Sequence, residues 1–583
     1  DRFVVESCLY CECLKNWGKR MKEGFRQSMA WLHTWTGLVV GWVLFFFFLT
    51  GTAGYVQIEL TRWMQPEQPL PSKVLVSEQE QINQAYDYLR KYPDAQNAER
   101  WGINLQTNQR GADAFAVNWT SPSKEEGQRG QYHKEVLDVS SGQPITAQIK
   151  PRETGGGFTL YRMHYALHYI PYDWGIRIVG MCTMFMFVAI ISGIITHKKI
   201  FKDFFTFRPA KGQRSWLDAH NVISVIALPF YLMITYSGLI FFANAYMPLG
   251  VPMVYGAGEK NTDRYYAELY PNFRNNDQAT VPLSMGAMKQ KFTPIQPLLA
   301  KVQKEWGGTD KVSQVNFYSE RGGNPAKIEF YQTGSDSIAR KRTSLSFDLY
   351  TGQKIVQEKS NEDKAPMVFG TTVLGLHEGL FASSFIRILY VLTGFLGTAM
   401  IATGLVLWTV KRRPKQLKLN RMSFGHALVE RLNIAMIAGL PLAIAVYFWA
   451  NRLIPFDFSN RANWEVHCLY ITLLLSFIYA LSRPIVRAWI EILAFTALAY
   501  LLLPILNFIT TDRHLGVLLR HQDFALASID LGFIFLGIVF AWASYRVWSK
   551  RDSILKPMVK KSAKPRVSQS NHVNALSSSE ELL

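Results

Sequence analysis

The chain is poor in charged residues and in cysteine. Asp, Glu, Lys and Arg make up only 18% of its 583 residues, against about 25% in an ordinary soluble domain. There are five cysteines and no Cys-x-x-Cys-His sequence, which excludes covalent attachment of a c-type haem. No Gly-x-Gly-x-x-Gly sequence follows a predicted strand, so we expect neither an NAD nor a flavin site. This composition excludes a disordered chain, a fibrous chain and a typical cytosolic enzyme.

Three of the cysteines, Cys8, Cys11 and Cys13, lie close together near the N-terminus. They are a weak candidate for a metal site because no fourth ligand is nearby. The chain begins with Asp, and Met21 opens the stretch that leads into the first apolar run. We therefore interpret residues 1–20 as an extension ahead of Met21.

Long uncharged runs dominate the rest of the chain, in which 49% of residues are hydrophobic and 14% aromatic. A membrane-spanning helix needs about 20 apolar residues, and eight runs have roughly that length. They predict a polytopic α-helical membrane protein in contact with lipid, with eight spans and two small α+β modules. The predicted order is an N-terminal segment 1–35, span 36–58, module 60–170, span 174–196, loop 197–217, span 218–247, module 248–383, span 384–410, loop 411–424, a four-span C-terminal unit 425–548 and a tail 549–583.

The basic residues indicate the orientation of these spans. Lys and Arg cluster in the N-terminal segment, in the two loops and in the tail, and such clusters stay in the cytoplasm. Both termini are therefore predicted inside and both modules outside. The net charge of +19 mainly reflects these clusters of basic residues next to the membrane. We expect no nucleic-acid partner, because the basic residues are divided among short segments next to the membrane.

The two outside modules resemble each other. Residues 137–145 and 347–355 share a pattern of strand, Gly turn and second strand. A helical stretch precedes each pattern, at 78–92 in the first module and at 286–305 in the second. The similarity extends into the spans on either side, which predicts a unit of span, module and span that is used twice in parallel.

Histidines mark equivalent positions in the two units. Six of the twelve histidines lie near ends of the first four spans: His33, His164, His168, His197, His220 and His377. The repeat pairs His33 with His220 at the inner ends and His164 with His377 at the outer ends. Two imidazoles that face each other at one membrane depth are the arrangement that a b-type haem needs for its two axial ligands. Two such pairs would carry an electron across the bilayer.

Alternatives remain for each histidine. A single histidine at a helix end is usually a polar anchor. His168 shares a helical face with His164 and could replace it as the ligand, although the His-x-x-Leu match between the units favours His164. His197 competes with His33 or His220, or contacts a haem propionate. Small residues expected to admit a macrocycle near these histidines are Gly37, Gly41, Ser224 and Gly379.

Five segments in order resemble a known family: 31–38, 163–168, 197–209, 216–221 and 376–380. The chain resembles the PepSY-associated transmembrane proteins over residues 21–413. This family includes inner-membrane ferric-siderophore reductases of Gram-negative bacteria. The resemblance implies a location in the bacterial inner membrane, an inner haem on His33 and His220, and an outer haem on His164 and His377. The C-terminal unit and a long insertion at about 246–282 depart from the compact reductases.

These observations predict transmembrane electron transfer through two b-type haems to an outside ferric siderophore, bound between the two modules. Because no dinucleotide site is expected, the electron donor would be a membrane quinol or a partner protein. One alternative is a haem-free, membrane-anchored PepSY protein that binds or senses a ligand. Another is a transporter, although the first four spans contain no convincing ionisable residue at mid-membrane.

Overall fold

A computed structural model gives the fold, which is mostly helical with one antiparallel sheet. The structure describes residues 2–68, 76–96, 98–106, 115–121, 130–145, 151–197, 207–208, 211–247, 249–258, 261–262, 264–265, 292–320, 325–333, 337–340, 343–355, 365–418 and 423–552. The described helices are α1 Arg2–Gly54, α2 Gln57–Met64, α3 Glu78–Lys91, α4 Pro93–Gln96, α5 Gly156–Tyr165, α6 Tyr172–Thr196, α7 Gln213–Ile226, α8 Leu228–Phe241, α9 Ala243–Tyr246, α10 Gly250–Tyr255, α11 Ile295–Trp306, α12 Ala365–Glu378, α13 Ser384–Lys418, α14 Phe424–Ile434, α15 Leu440–Leu453, α16 Arg461–Ser482, α17 Ile485–Thr510, α18 Leu515–Arg520 and α19 Phe524–Ser549.

Seven of the described helices are long and apolar enough to cross a membrane. They are α1 from Gly24 onward, α6, α13, the continuous helix formed by α14 and α15, α16, α17 and α19. A π-helical turn, Ala435–Gly439, joins α14 to α15. The chain is thus a multi-pass membrane protein. We call the side of the spans that carries the sheet the sheet side, and the opposite side the loop side.

The expected third span, 218–247, is divided into two helices. α7 and α8 meet at Ala227 with a bend of 68° and count as one further span only if taken together. Pro229 explains the break, because proline lacks an amide hydrogen and clashes with the preceding helical turn. The hydroxyl of Tyr231 donates a hydrogen bond to the carbonyl of Ile223 (3.4 Å), one of the carbonyl groups near the bend.

The two predicted modules contribute to one seven-stranded antiparallel sheet. Its strands are β1 Arg100–Asn104, β2 Ala116–Thr120, β3 Tyr132–Val136, β4 Val312–Tyr318, β5 Lys327–Gln332, β6 Ser344–Asp348 and β7 Lys354–Ile355, in the order β3-β2-β1-β4-β5-β6-β7. β1 of the first module pairs with β4 of the second along its whole length. Pairing of the two inner edges satisfies backbone groups that separate modules would leave exposed.

One face of this sheet packs against α3 and α11, the helices that precede the strands in the two modules. Trp101, Phe317 and Phe330 are almost fully buried on that face, together with Leu89 of α3 and Val302 of α11. Hydrophobic residues from both modules form one cluster there. The sheet domain therefore folds around a single core rather than two.

The two predicted Gly turns have the same geometry. Gly142 and Gly352 adopt φ of +67° and +66°, a left-handed conformation that glycine tolerates. Each glycine donates its backbone N–H to the backbone carbonyl of the aspartate four residues before it, Asp138 (2.8 Å) or Asp348 (3.0 Å). The hydroxyl of Ser140 also donates to Asp138 and holds the pKa of that carboxyl below its usual range. This correspondence supports the internal repeat.

The C-terminal unit contains a buried ionic network. Arg461 and Glu465 form an ion pair at 2.5 Å with almost no exposure, and Glu465 also accepts a hydrogen bond from Thr154 (2.5 Å). Trp63 of α2 donates to the buried carboxylate of Asp530 (2.8 Å). Thr154 and Trp63 both precede the second span. Polar contacts therefore join the C-terminal unit to the first half of the chain.

Some predictions fall on residues that lie outside the described part. They are the start of the second helical stretch (286–291), most of the loop 197–217, most of the insertion near 246–282, the side chains of Cys8, Cys11 and Cys13, and the tail from 553 onward.

The joined sheet makes a prediction about cross-linking. Asn104 of β1 lies opposite Gln314 of β4, and directly opposed residues of antiparallel strands have Cα atoms about 4.5–5.5 Å apart, within disulfide range. Mild oxidation of the N104C/Q314C double variant should therefore give an intramolecular disulfide that mass spectrometry of proteolytic peptides detects.

The matched control is N104C/Y331C. Tyr331 pairs with Gln314 on the far side of β4, so two strand spacings of about 4.8 Å separate it from Asn104. This variant should not cross-link. Equal yields in the two variants, or none in the first, would contradict the pairing of β1 with β4.

Candidate functional site: two histidine pairs

Two histidines from different helices face each other toward the loop side. His33 lies in α1 and His220 in α7, and their ring centres are 6.3 Å apart with ring planes inclined at 61°. Both side chains are partly buried. The structure therefore brings together His33 and His220, the pair that the repeat predicts at the inner ends of the spans.

A second pair lies toward the sheet side. His164 near the end of α5 and His377 near the end of α12 have ring centres 6.1 Å apart and planes inclined at 38°. Each of these helices precedes a span, α6 or α13, so the pair comes from equivalent places in the two units. Phe241 packs edge-on against His377 with ring centres 5.1 Å apart.

The Nδ1 atom of each imidazole faces a group of a neighbouring helix. His33 Nδ1 lies 2.7 Å from the Ala189 carbonyl oxygen, His164 Nδ1 2.8 Å from that of Phe47, and His220 Nδ1 3.0 Å from that of Met400. A carbonyl oxygen only accepts, so Nδ1 must carry the proton in these rings. In a neutral imidazole the other nitrogen, Nε2, then has a free lone pair.

His377 shows a variation on this arrangement. Its Nδ1 lies 2.7 Å from the Ser237 hydroxyl oxygen and also interacts with the Ile234 carbonyl. The Ser237 hydroxyl donates to the Met233 carbonyl (2.6 Å) and can therefore accept from the imidazole. As in the other three rings, the Nδ1 proton is directed to a neighbouring helix, here α8.

A glycine lies under each of the four rings. A Cβ added to Gly193 would be 3.0 Å from His33, to Gly404 3.1 Å from His220, to Gly51 2.6 Å from His164 and to Gly238 3.3 Å from His377. For His33, His164 and His220, the carbonyl that faces Nδ1 belongs to the residue four positions before the glycine. The Ile234 carbonyl near His377 likewise lies four positions before Gly238. A helical side chain covers the turn on its N-terminal side, so glycine uncovers that carbonyl for the ring.

The sequence contains part of this signal in a spacing. His33 precedes Gly51 by 18 residues (51 − 33), and His220 precedes Gly238 by 18 residues (238 − 220). Eighteen residues of α-helix rise about 27 Å, close to the roughly 30 Å thickness of a bilayer core. In α1, which is continuous from His33 to Gly51, this spacing separates the two pairs by nearly the depth of a membrane.

The small residues predicted near the histidines are not the glycines under the rings. Gly37 has no atom within 4 Å of an added Cβ, and Gly41 faces Leu405. Ser224 bonds to the carbonyl of His220 (2.6 Å), and Gly379 ends α12 with φ of +62°. The glycines in contact with the histidine rings lie instead on the neighbouring helices, far from the histidines in sequence.

The two remaining candidate histidines lie outside the pairs. His168 is exposed beyond the end of α5, and its ring stacks on Tyr470 with centres 6.2 Å apart. The chain leaves the helix at Ala166, so His164 and His168 do not share one helical face as expected. His197 is the residue that follows α6, and it lies near enough to His220 to interact electrostatically.

Aromatic residues fill the region between the two pairs. Phe48 of α1 packs against Tyr231 of α8 with ring centres 6.4 Å apart, and Tyr231 is 1% exposed. In sequence, Phe48 lies between His33 and Gly51, and Tyr231 between His220 and Gly238. The neighbouring Phe45, Phe46 and Phe47 are buried in the helical core.

The separation of the two rings in each pair matches that of two imidazoles bound to one metal ion. A nitrogen ligand lies about 2.0–2.1 Å from a bound zinc ion, and adding about 1 Å from nitrogen to ring centre on each side gives ring centres about 6 Å apart. Among the described residues no group of three or more His, Cys, Asp or Glu side chains could hold a metal ion. A metal held here would need its further ligands from a group other than these side chains.

The family model for the PepSY-associated TM region matches residues 30–411 of the chain. This range covers more than half of the sequence and includes all four paired histidines. The chain therefore belongs to the PepSY-associated transmembrane family, and the resemblance found in the sequence is confirmed. A comparison with curated proteins gives no match. The matched region ends within α13, so α14–α19 lie beyond it.

The glycine contacts predict a difference between two substitutions in the same helix. Gly51→Val would place side-chain atoms against the His164 ring, whereas Gly37→Val would enter open space. Overpacking costs about 1–3 kcal/mol, and a substitution without contacts costs less than about 0.5 kcal/mol. Unfolding of the purified protein in a titration with a denaturing detergent should therefore show a loss of stability for Gly51→Val alone. Equal stabilities would mean that the ring does not depend on the glycine.

Proposed function

We propose that the protein transfers electrons across the bacterial inner membrane through two b-type haems, one for each histidine pair. The observation that carries this proposal is the presence of two imidazoles per site, about 6 Å apart, with no third ligand among the described side chains. A haem macrocycle supplies four nitrogen ligands itself and needs only two axial ligands from the protein. A structural zinc site would need four protein ligands.

The hydrogen bonds of the imidazoles support the same assignment. A histidine that binds a metal usually donates its other ring N–H to a carbonyl or carboxylate, which fixes the tautomer and the ring orientation. Backbone carbonyls face Nδ1 of His33, His164 and His220 in this way. His33, His220, His164 and His377 would be the axial ligands, and their Nε2 atoms would face the iron.

Bound haem supplies one-electron redox chemistry, and the protein residues provide its environment. The four histidines hold the groups at two depths, and the glycines beneath the rings keep the imidazoles close to their carbonyl acceptors. Phe48 and Tyr231 exclude water from the space between the pairs. His197 lies beside the His33–His220 pair and would interact with a haem propionate there.

The basic residues define the two sides of the proposed pathway. Lys411, Arg412, Arg413 and Lys415 lie at the loop-side end of α13, and Arg26 lies at the corresponding end of α1. By the positive-inside rule the loop side is cytoplasmic. Both termini would then be cytoplasmic, and the sheet would lie in the periplasm near the His164–His377 pair.

The acceptor that we propose is a periplasmic ferric siderophore. Hard oxygen ligands favour Fe(III), and reduction to the softer Fe(II) releases the metal. The siderophore would contact a face of the sheet, because β1 and β4 pair directly and leave no cleft between the two modules. A segment of the sheet domain also reaches the second pair: Arg340 donates its backbone N–H to Thr371 of α12 (2.8 Å) and pairs with Glu378 (2.9 Å), next to His377.

The visible spectrum of the purified protein tests this proposal. We expect two haems per chain, with the sharp reduced α-band of a low-spin iron held by two histidines. His164→Ala or His377→Ala should remove roughly half of the haem, because only one pair is lost. His33→Ala or His220→Ala should remove the other half.

His168→Ala is the matched control for His164→Ala. His168 lies four residues away but stacks on Tyr470 outside the pair, so this variant should keep its full haem content. Reduction of a ferric siderophore by the dithionite-reduced protein would then identify the acceptor. A colourless protein from cells that supply haem would reject the proposal and favour a haem-free sensing role.

A further inference from the structure

A second group of polar residues lies buried near the His33–His220 pair. His426 and Glu430 are one turn apart on α14 and are 3% and 6% exposed. His426 Nε2 and Glu430 Oε1 are 3.5 Å apart, close enough for an electrostatic interaction but without a hydrogen bond. Neither residue belongs to the region that the family model matches.

Several polar atoms of this group have no hydrogen-bond partner within the described part of the chain. They are Nδ1 and Nε2 of His426, Oε2 of Glu430 and Nε1 of the neighbouring Trp408. Leaving such atoms unpaired in a membrane interior costs free energy. Because the set contains both N–H donors and acceptors, it matches a ligand that carries oxygen atoms able to donate and to accept.

A row of aromatic rings connects this group to the surface of the spans. Trp408 stacks on His426 with ring centres 6.0 Å apart, Trp35 lies 6.4 Å from Trp408, and Trp31 lies 6.3 Å from Trp35. Trp31 and Trp35 are 64% and 40% exposed on a membrane-spanning helix. A flat, lipid-soluble molecule would therefore meet aromatic surfaces on its way from the bilayer to His426.

The group is also connected to the His33–His220 pair. Asn433, three residues after Glu430, donates to the carbonyl of Leu405 (3.1 Å). Leu405 follows Gly404, the glycine under the His220 ring. Asn433 also accepts a hydrogen bond from Trp42 of α1 (2.9 Å). The α14 helix that carries His426 and Glu430 therefore contacts α1, which carries His33, and α13, whose Gly404 lies under the His220 ring.

We infer that His426, Glu430 and Trp408 bind the ring of a membrane hydroquinone. This inference rests on the proposed function and names the site of its electron donor. A hydroquinone dissolves in the bilayer, stacks on aromatic rings, and has hydroxyl groups that donate to His426 or Glu430 and accept from Trp408.

Both O–H bonds of the hydroquinone break and two C=O bonds form, which releases two protons and two electrons. Glu430 and His426 accept the protons and pass them to the loop side, where α14 begins two residues before His426. The electrons leave one at a time through the His33–His220 pair, so that two ferric ions are reduced to ferrous ions for each hydroquinone oxidised.

Binding of a short-tailed ubiquinone analogue to the detergent-purified protein tests this site directly. Isothermal titration calorimetry should show saturable binding, and His426→Gln and Glu430→Gln should each weaken it at least tenfold. His467→Gln is the control because His467 lies on α16 beside Tyr169 and not in this group. The haem spectrum of each variant shows whether the protein is folded.

A kinetic measurement completes the test. The reduced analogue should reduce the haem of the unmodified protein and of His467→Gln, and it should do so at least tenfold more slowly in the two site variants. Dithionite should reduce the same amount of haem in all four proteins.

Absence of saturable binding, or equal binding by all variants, would overturn the inference and leave buried water as the partner of these atoms. Binding without reduction of the haem would also overturn the role as donor site. A protein that lacks haem but binds the analogue through His426 and Glu430 would reject the proposed function and keep the binding site.

Discussion

The contact between an imidazole and a helix carbonyl is the constraint on which the membrane region depends. A buried imidazole N–H needs an acceptor, and inside a membrane the available acceptors are mostly backbone carbonyls that already bond within their helix. Gly51, Gly193 and Gly404 expose such a carbonyl by removing the side chain that would cover it. This requirement determines where α1, α6, α7 and α13 can approach one another.

The duplication places this contact at two depths. Each unit provides one histidine at the loop side and one at the sheet side, and each pair combines the two units. The second unit keeps the 18-residue spacing from His220 to Gly238 although Pro229 bends its helix between them. Outside the membrane the same duplication gives two sets of strands, and pairing of β1 with β4 joins them over one core. The joined sheet therefore fixes the relative position of the two units as the histidine pairs do.

Much of this architecture could be predicted from local patterns. The apolar runs, the Gly turns at Gly142 and Gly352, and the histidines that meet all depend on sequence features that the repeat shows twice. The bend at Ala227 was missed because hydropathy alone does not register a proline inside a long apolar run. The glycines under the rings were missed because they lie far from the histidines in sequence. The joined sheet was missed because edge pairing between strands leaves no periodic signal.

The C-terminal unit lies outside the family region, yet polar contacts attach it at both membrane depths. Toward the loop side, Asn433 bonds to Trp42 and to the Leu405 carbonyl. Toward the sheet side, Arg452 packs over the ring of Trp63 with its guanidinium carbon 3.8 Å from the ring centre, and Tyr447 donates to the carbonyl of Gly156 (2.9 Å).

Lipid is as apolar as leucine, so apolar packing alone gives helices in a membrane little reason to associate with one another. Interhelical hydrogen bonds therefore hold the added helices in a defined position. Trp63 of α2 donates a hydrogen bond to Asp530, and Gly156 is the first residue of α5, the helix that carries His164. A displacement of the C-terminal unit would thus disturb α2 and α5, and through α5 the His164–His377 pair. The added helices belong to the same packed structure as the histidine sites, even though the family region alone contains all four paired histidines.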